Sequence, residues 1–286
     1  MNHKIKKNKK GFQISFAWLF AIIAGVFILF LAIYGVSKLI GTGEDIISAR
    51  TGKDIGVLLN PLETSFGSER TVLLTMPVET RIHNKYSTYG NFGAQIIQVS
   101  QKNYGKWSQT EIDVSFPNKY IFSDSVVEGK DFFIFSKPFK FPFKVADVIY
   151  LTSSKKNYCF MDAPEEIEEE LDALKQKNLF VADCPAESVR VCFEAGVECD
   201  VNVDVYGREV EKMGQTMFFE TDALMYAAIF SDKNIYDNQV KRLMWRTNEL
   251  LSLYNTKSSL LSTQGCSQDI NLFVFKNVIN LSLIHI

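Results

Sequence analysis

Five cysteines are the residues whose chemistry the sequence constrains most: Cys159, Cys184, Cys192, Cys199 and Cys266. Zinc sites usually contain cysteine pairs separated by two to four residues, and this chain has no such pair. In an oxidising compartment the cysteines would form disulfides, and Cys192 can close a hairpin with either Cys184 or Cys199. Spacing alone does not fix the connectivity. We predict disulfides, with free buried thiols or a metal site as alternatives. The odd count indicates a bonding partner missing from the C-terminal end.

Histidine chemistry depends on one residue, because His3 lies in the N-terminal tail and His285 near the C-terminal end, which leaves His83. A Ser-His-Asp or Cys-His mechanism would need that side chain. A lone histidine beside a predicted strand is more typical of a surface or hydrogen-bonded residue. The sequence also has no phosphate-binding loop, dinucleotide fingerprint or histidine-based metal motif. We therefore predict no catalytic residue, no cofactor and no enzymatic activity.

Four oxygen-bearing residues match positions 1, 3, 5 and 12 of a calcium-binding loop: Asp200, Asn202, Asp204 and Glu211. Position 6 of such a loop is glycine, and here it is Val205. Valines alternate with the polar residues, which is the pattern of a half-buried strand. The sequence therefore predicts a strand here and no metal site.

Three consecutive glutamates, 168–170, lie in a predicted helix. Asp162 is a candidate N-cap, and Pro164 suits an early helical position. An apolar stripe follows at Ile167, Leu171 and Leu174. The glutamates are predicted to form the solvated face of this helix rather than an acid–base pair.

A membrane anchor is the strongest signal among the elements that position these residues. Residues 11–37 carry no charge, and as a helix they would extend about 40 Å, more than a hydrocarbon core of about 30 Å. A cleaved signal peptide has a shorter apolar region, of about 7–15 residues. Trp18 and Tyr34 lie near the two ends, where amphipathic rings contact lipid headgroups. The sequence predicts a transmembrane helix over 12–38.

Charge asymmetry predicts the orientation of this anchor. Residues 1–38 hold six lysines and no acidic residue, and the formal net charge of the whole chain is −2. By the positive-inside rule the N-terminus lies in the cytoplasm and the body outside. The rest of the chain is acidic, which disfavours nucleic-acid binding. Nucleic-acid binding by the basic tail is the alternative to its role in topology.

The segment Lys9-Lys10-Gly11-Phe12-Gln13-Ile14-Ser15, followed by an apolar helix, resembles the N-terminus of type IV pilin-like proteins, especially archaeal ones. In that family a dedicated peptidase cuts near the glycine, and the apolar helix then packs into a filament. The resemblance implies processing between Gly11 and Phe12. Gln13 and Ser15 match an archaeal Gln-x-Ser-x-Glu pattern, in which Ala17 replaces the glutamate. The layout also looks like that of archaeal membrane-anchored surface proteins.

Most of the body after the anchor reads as strands. Residues 44–59 are predicted to continue the anchor helix amphipathically, interrupted at Gly52 and Gly56 and stopped by Pro61. A hairpin turn is predicted at 103–106. Strands are predicted at 71–75, 94–101, 108–116, 131–135, 145–152, 178–182, 188–193 and 199–206.

Residues 137–144 place three phenylalanines at every second position among lysines and two prolines. Proline excludes a central strand, so the segment is predicted as an edge strand that caps the core. The alternative is a segment that rests on the membrane surface, with its phenylalanines inserted.

The C-terminal third is predicted to be helical, over 221–230 and then from about 232 to 262. Apolar residues of the second helix follow a 3-4 spacing that predicts packing on its own sheet, with a seam for a partner subunit as the alternative. Residues 281–286 match the translation of a common sequencing adapter, so we expect the natural chain to continue differently.

Together these features predict an α+β protein with a transmembrane helix, a strand-rich extracytoplasmic domain and a long C-terminal helix. The expected divisions are a basic leader (1–11), the anchor (12–38), a helix or linker (39–68), the domain (69–280) and the adapter-like end (281–286). The predicted function is that of a single-pass, pilin-like surface protein. It would bind the lipid bilayer and act through contacts with a protein partner or with copies of itself. The alternatives are a non-catalytic subunit of a membrane complex and, third, an extracytoplasmic enzyme.

Overall fold

The computed structural model describes residues 16–58, 70–103, 105–108, 113–193, 199–265, 274–277 and 279. The fold is α+β, with an N-terminal apolar helix and a strand-rich domain that contains two mixed sheets. Contacts divide the chain into one unit that ends at Ile46 and a second that begins at Ile47. This boundary falls inside the segment 39–68 that the sequence predicts as helix or linker.

Helix α1 spans Phe16–Leu58 and is continuous through Gly52 and Gly56, so the predicted interruption at these glycines is wrong. A helical glycine costs only about 1 kcal/mol relative to alanine. Ile55, between the two glycines, is 2 % exposed and belongs to a hydrophobic core. Burial of that side chain contributes about 1.5–3 kcal/mol, which offsets the combined cost of the two glycines, about 2 kcal/mol.

The first sheet has the strand order β3-β2-β1-β6-β7-β5, and β4 also pairs with β2. Neighbouring strands are antiparallel except for β5 and β7, which are parallel. Asn103 pairs with Lys106, which confirms the predicted hairpin. The strands of this first sheet are β1 (Arg70–Ser87), β2 (Ala94–Asn103), β3 (Lys106–Trp107), β4 (Val114–Phe116), β5 (Tyr120–Phe122), β6 (Val126–Lys140) and β7 (Lys144–Ser153).

Strand lengths in this sheet depart from the prediction. β1 and β6 extend well past 71–75 and 131–135 because they pair with each other and each has a further neighbour. The single strand predicted at 108–116 is replaced by β3 and β4, which pair separately with β2. Residues 109–112 lie outside the described residues.

The second sheet has the order β13-β12-β11-β10-β8-β9. β9, β8, β10 and β11 run parallel to one another, whereas β11, β12 and β13 form an antiparallel meander. Helix α2 (Glu165–Leu174) makes the crossover from β8 to β9 that a parallel pair requires. The strands are β8 (Tyr158–Met161), β9 (Leu179–Val181), β10 (Val189–Cys192), β11 (Val201–Asp204), β12 (Glu209–Lys212) and β13 (Gln215–Phe218).

Pro164 is the N-cap of α2, so the prediction of Asp162 as the cap is wrong. Asp162 has a φ of 53°, in the left-handed region. An N-cap residue usually has extended backbone angles, so Asp162 belongs to the turn that precedes the helix.

Two helices end the domain, α3 (Asp222–Phe230) and α4 (Lys233–Thr263). Every residue of α3 from Ala223 onward is buried, as expected for a helix that is apolar on all sides. Phe230 contacts aromatic rings of both sheets, Tyr150 from the first and Tyr158 from the second. The main core therefore joins the two sheets and α3.

The other face of the first sheet forms a second core. Side chains alternate along β7, so that Tyr150 belongs to the main core and Ile149 to the second. Ile55 of α1 packs in this second core. The sheet is consequently apolar on both faces.

Candidate functional site

Four of the five cysteines pair. Cys159 lies at disulfide-bonding distance from Cys184, with 5.6 Å between the Cα atoms, and Cys192 from Cys199, with 6.1 Å. Both separations are usual for disulfides. The pairing of Cys192 with Cys199 was one of the two predicted hairpins, and its pairing with Cys184 is wrong because Cys184 pairs with β8. Cys266 lies outside the described residues.

Both disulfides fasten loops to the face of the second sheet that lies away from the main core. Cys159 and Cys192 are buried on neighbouring strands, at positions that alternate with the core residues Phe160 and Val191. Their partners, Cys184 and Cys199, lie outside the strands. The disulfides thus tie two segments outside the strands to this face of the sheet.

Removing the two disulfides is expected to destabilise the domain unequally. The loops they close span sequence separations of 25 and 7 residues. Chain entropy predicts a loss of about 3.5 kcal/mol for Cys159→Ala/Cys184→Ala and about 2.4 kcal/mol for Cys192→Ala/Cys199→Ala. Guanidinium unfolding of the detergent-purified chain measures both losses, with Cys266→Ala as the control. Equal losses, or the reverse order, would contradict this account.

His83 is a hydrogen-bonded residue of β1, as the sequence predicts. Its Nε2 lies 3.2 Å from the Ser100 hydroxyl. Burial, followed by the positive charges of Lys85 and Arg81, lowers the pKa of His83 from its usual 6.5. The imidazole is therefore neutral at pH 7.

This shift predicts a pH dependence of stability. Because the pKa of His83 is lower in the folded than in the unfolded chain, the unfolded chain takes up this proton first as the pH falls. His83 is thus expected to reduce the free energy of unfolding progressively below about pH 6.5. Urea unfolding at pH 7.5 and 5.5 should show a smaller acid-side loss for His83→Gln than for the wild type. An equal loss in both proteins would contradict the prediction.

The calcium-like residues lie in a β-hairpin, which confirms the strand interpretation. Asn202 of β11 pairs with Glu211 of β12. Asp200 accepts a hydrogen bond from the Arg190 backbone, and Asp204 accepts one from Gly207. Within the described part of the chain, no group of three His, Cys, Asp or Glu residues could hold a metal ion.

The prediction that residues 168–170 form a solvated face is wrong for Glu170. Its carboxylate forms an ion pair with Lys137 of β6, and both side chains are about 15 % exposed. Tyr226 of α3 donates a hydrogen bond to Glu170, and the Lys137 ammonium lies 4.8 Å from the centre of the Tyr226 ring. Glu170 therefore anchors α2 to the first sheet and to α3.

The phenylalanine-rich segment 137–144 packs into the protein. Phe139 is fully buried, and Phe141 and Phe143 lie against the main core. Pro138 pairs with Asp147 of β7, and the residues that would face it on the β1 side precede Arg70 and lie outside the described residues. The packing of the phenylalanines agrees with a segment that caps the core, the edge position stays a prediction, and a buried Phe139 cannot insert into a membrane.

The anchor residues lie on a helix long and apolar enough, by length and composition, to cross a membrane. This span covers Phe16–Lys38, and none of its residues is buried inside the protein. Trp18 and Tyr34 are 66 % and 60 % exposed near its ends. Gly11 and Phe12, the predicted processing site, lie outside the described residues.

A charged junction, defined here as Asp124, Lys156, Lys212 and Asp232, is the strongest candidate site. Lys156 Nζ lies 2.6 Å from Asp124 Oδ2, and Lys212 Nζ lies 3.5 Å from Asp124 Oδ1. Asp232 begins α4 as its N-cap, and its Oδ2 accepts a hydrogen bond from the Ser125 backbone at 2.7 Å. Both sheets and both C-terminal helices therefore meet at this point.

Lys212 is the buried member of the junction, with a side chain 8 % exposed. Burial lowers the pKa of Lys212, whereas the nearby charge of Asp124 raises it. Its ammonium also donates to the carbonyl oxygens of Ile229 and Ser231 at the end of α3. These contacts satisfy helix-terminal acceptors that would otherwise lack donors.

Two cavities border the junction. One of 190 Å³ is lined by Asp124, Lys156 and Tyr158, and a second of 410 Å³ is lined by Lys156, Lys212 and Asn202. Lys156 thus lines both. Perturbed titratable groups beside a cavity are typical of functional sites. The junction can hold a charged group or transfer protons between its own amines and carboxylates.

A second buried polar network fixes α4 to the first sheet. Arg242 is fully buried and donates to the carbonyl oxygens of Phe92 and Lys119, each at 3.1 Å, and to the Gln239 side chain. Gln239 donates to Gln95 of β2 at 2.7 Å. Burial lowers the pKa of the Arg242 guanidinium to about 10, so it is charged at neutral pH. This network is a connection between elements rather than an open site.

Gly93, between β1 and β2, permits the close approach of Arg242 on α4. Its φ is +59°, a conformation that favours glycine. A Cβ atom there would overlap the Ser87 carbonyl oxygen and lie 3.2 Å from Arg242 Cδ. A side chain at position 93 would therefore displace the guanidinium.

Comparison of the chain with models of protein families, with curated proteins and with solved structures finds no match. The features of the chain that bear on function are therefore the apolar helix, the cysteine pairs, the charged junction and the network around Arg242. Sequence reasoning missed both clusters. Asp124 and Lys212 are 88 residues apart, and no local pattern marks them as partners or Lys212 as buried.

Proposed function

We propose that this protein is a single-pass, membrane-anchored surface protein with a pilin-like N-terminus, and that its body acts outside the cytoplasm through contacts with other proteins. The observation that carries the proposal is the unburied apolar span Phe16–Lys38. An unburied span of this kind needs an apolar environment, and a lipid bilayer supplies one.

Two further features support the orientation. Cysteine pairs such as Cys159–Cys184 and Cys192–Cys199 form and persist in oxidising compartments. Lysines at positions 4, 6, 7, 9 and 10 precede the span, and such clusters stay in the cytoplasm. The body is then outside the cytoplasm and the N-terminus inside.

The location of the body is tested by blocking thiols in intact membranes and measuring the mass of the extracted chain. We expect four cysteines to stay unmodified before reduction and five to react after it. Five reactive thiols without reduction would place the body in a reducing compartment and overturn the proposal.

The same mass also tests processing of the N-terminus. Loss of residues 1–11 would support pilin-type processing, and a full-length mass would exclude it.

A second candidate function, a subunit of a larger membrane complex, is favoured by the end of α4. The last buried residue of that helix is Leu251, and beyond it Leu253 and Leu260 are each 63 % exposed on one helical face. A partner of fixed stoichiometry that is lost with Leu253→Ser/Leu260→Ser would support the subunit. Detergent-resistant fibres of this chain alone would support the pilin-like protein.

A further inference from the structure

The charged junction places a buried amine against a carboxyl group that is 32 % exposed, where the two sheets meet. Lys212 belongs to β12 of the second sheet, and Asp124 follows β5 of the first. Only 3.5 Å separates Lys212 Nζ from Asp124 Oδ1. The Lys212 side chain is 8 % exposed, so bulk water scarcely reaches the amine.

A second carboxylate lies beside this pair. Asp232 is held by the backbone of Ser125, the residue after Asp124. Its other oxygen, Oδ1, is buried and accepts no hydrogen bond within the described structure. The charge of Asp232 also acts on Lys212. An acceptor without a donor at this point has a lone pair available for a proton.

We propose that Lys212 and Asp124 form an intramolecular amide bond after the chain has folded. The Lys212 nitrogen attacks Cγ of Asp124 and the new N–C bond forms. One carboxyl oxygen leaves with two protons as water. The ammonium and the carboxylate together contain the atoms of the amide and of one water molecule, so no oxidant or other reactant is required.

Each remaining group of the junction has a role in this step. Asp232 Oδ1 takes two protons in turn from the Lys212 nitrogen, one before the attack and one after it, and delivers both to the departing oxygen. Lys156, 2.6 Å from Asp124 Oδ2, withdraws electron density from the carboxyl carbon. Burial favours the neutral, nucleophilic form of the Lys212 amine.

The competing account is purely structural. In that account Lys212 remains an ammonium that caps α3 through Ile229 and Ser231 and pairs with Asp124. The two accounts predict different covalent masses for the same chain, so one measurement separates them. The proposal does not depend on membrane anchoring.

The test is the intact mass of the full-length chain, purified in detergent, fully reduced and alkylated, with its N-terminus sequenced. We expect a mass about 18 Da, one water, below the sequence value. A tryptic digest should contain a branched peptide that joins the segments around 124 and 212. A mass without this deficit would overturn the proposal.

Variants identify the source of the deficit. The Lys212→Met and Asp124→Ala variants should each have the full sequence mass. In freshly expressed Asp232→Asn protein the mass deficit should appear more slowly than in the wild type. Lys137→Met removes another partly buried lysine of an ion pair and should keep the deficit. A deficit that persists in Lys212→Met would indicate a cyclic imide elsewhere and overturn the assignment. Because the wild-type mass is the primary result, a variant that fails to fold leaves the test intact.

Discussion

Replacing Val26 and Phe27 with aspartate is expected to release the protein from membranes. Both residues lie near the centre of the span Phe16–Lys38 and are more than 60 % exposed. At the centre of a membrane helix an aspartate costs about 3 kcal/mol, and an apolar residue contributes about −0.4 kcal/mol. The double substitution therefore disfavours insertion by about 7 kcal/mol. Sedimentation after alkaline carbonate washing measures the bound fraction.

The matched control places the same charges on another helix. Leu253→Asp/Leu260→Asp also replaces two exposed apolar residues with aspartate, on α4. This variant is expected to remain with the membrane fraction. If the Val26→Asp/Phe27→Asp protein also resisted carbonate washing, the span would not be the anchor, and another part of the chain would have to bind the bilayer.

Sequence periodicity was sufficient for the elements whose signal is local. The apolar span, the hairpin at 103–106 and the strands predicted at 145–152, 178–182, 188–193 and 199–206 all lie close to their predicted positions, because alternation and turn residues act over a few neighbours. The strands β8, β12 and β13 were not predicted. Strand length was less predictable. β6 continues through Pro138 to Lys140 because it pairs with β7 there, and a proline removes only one backbone donor from the strand.

Burial of charged residues was not predictable from the sequence. The sequence pattern predicts Glu170 as one of three solvated glutamates. Its partner Lys137 is 33 residues away in another element, so no local pattern indicates the ion pair. Lys212 follows an exposed glutamate in a strand that alternates, and its contacts lie 17 to 88 residues distant. Both side chains are buried because the topology brings the two sheets together. A pattern of neighbouring residues in the sequence does not predict that topology.

Arg242→Met is expected to lower the free energy of unfolding of the domain by about 4 kcal/mol. The guanidinium supplies donors to Lys119 O and to the Gln239 side chain, both buried. Methionine fills similar volume but removes the guanidinium donors to both acceptors, at about 2 kcal/mol each. Gln239 connects onward to Gln95, so the loss would extend to the contact between α4 and β2. Guanidinium unfolding followed by tryptophan fluorescence measures the change.

Arg246→Met is the control, since Arg246 lies one turn further along α4 and is only partly buried. It donates a hydrogen bond to Val145 O at 3.0 Å, so its loss should cost about 1 kcal/mol. A large difference between the two variants would identify the buried network as the connection between helix and sheet. Equal, small losses would mean that apolar packing around Leu243 and Met244 fixes α4 by itself.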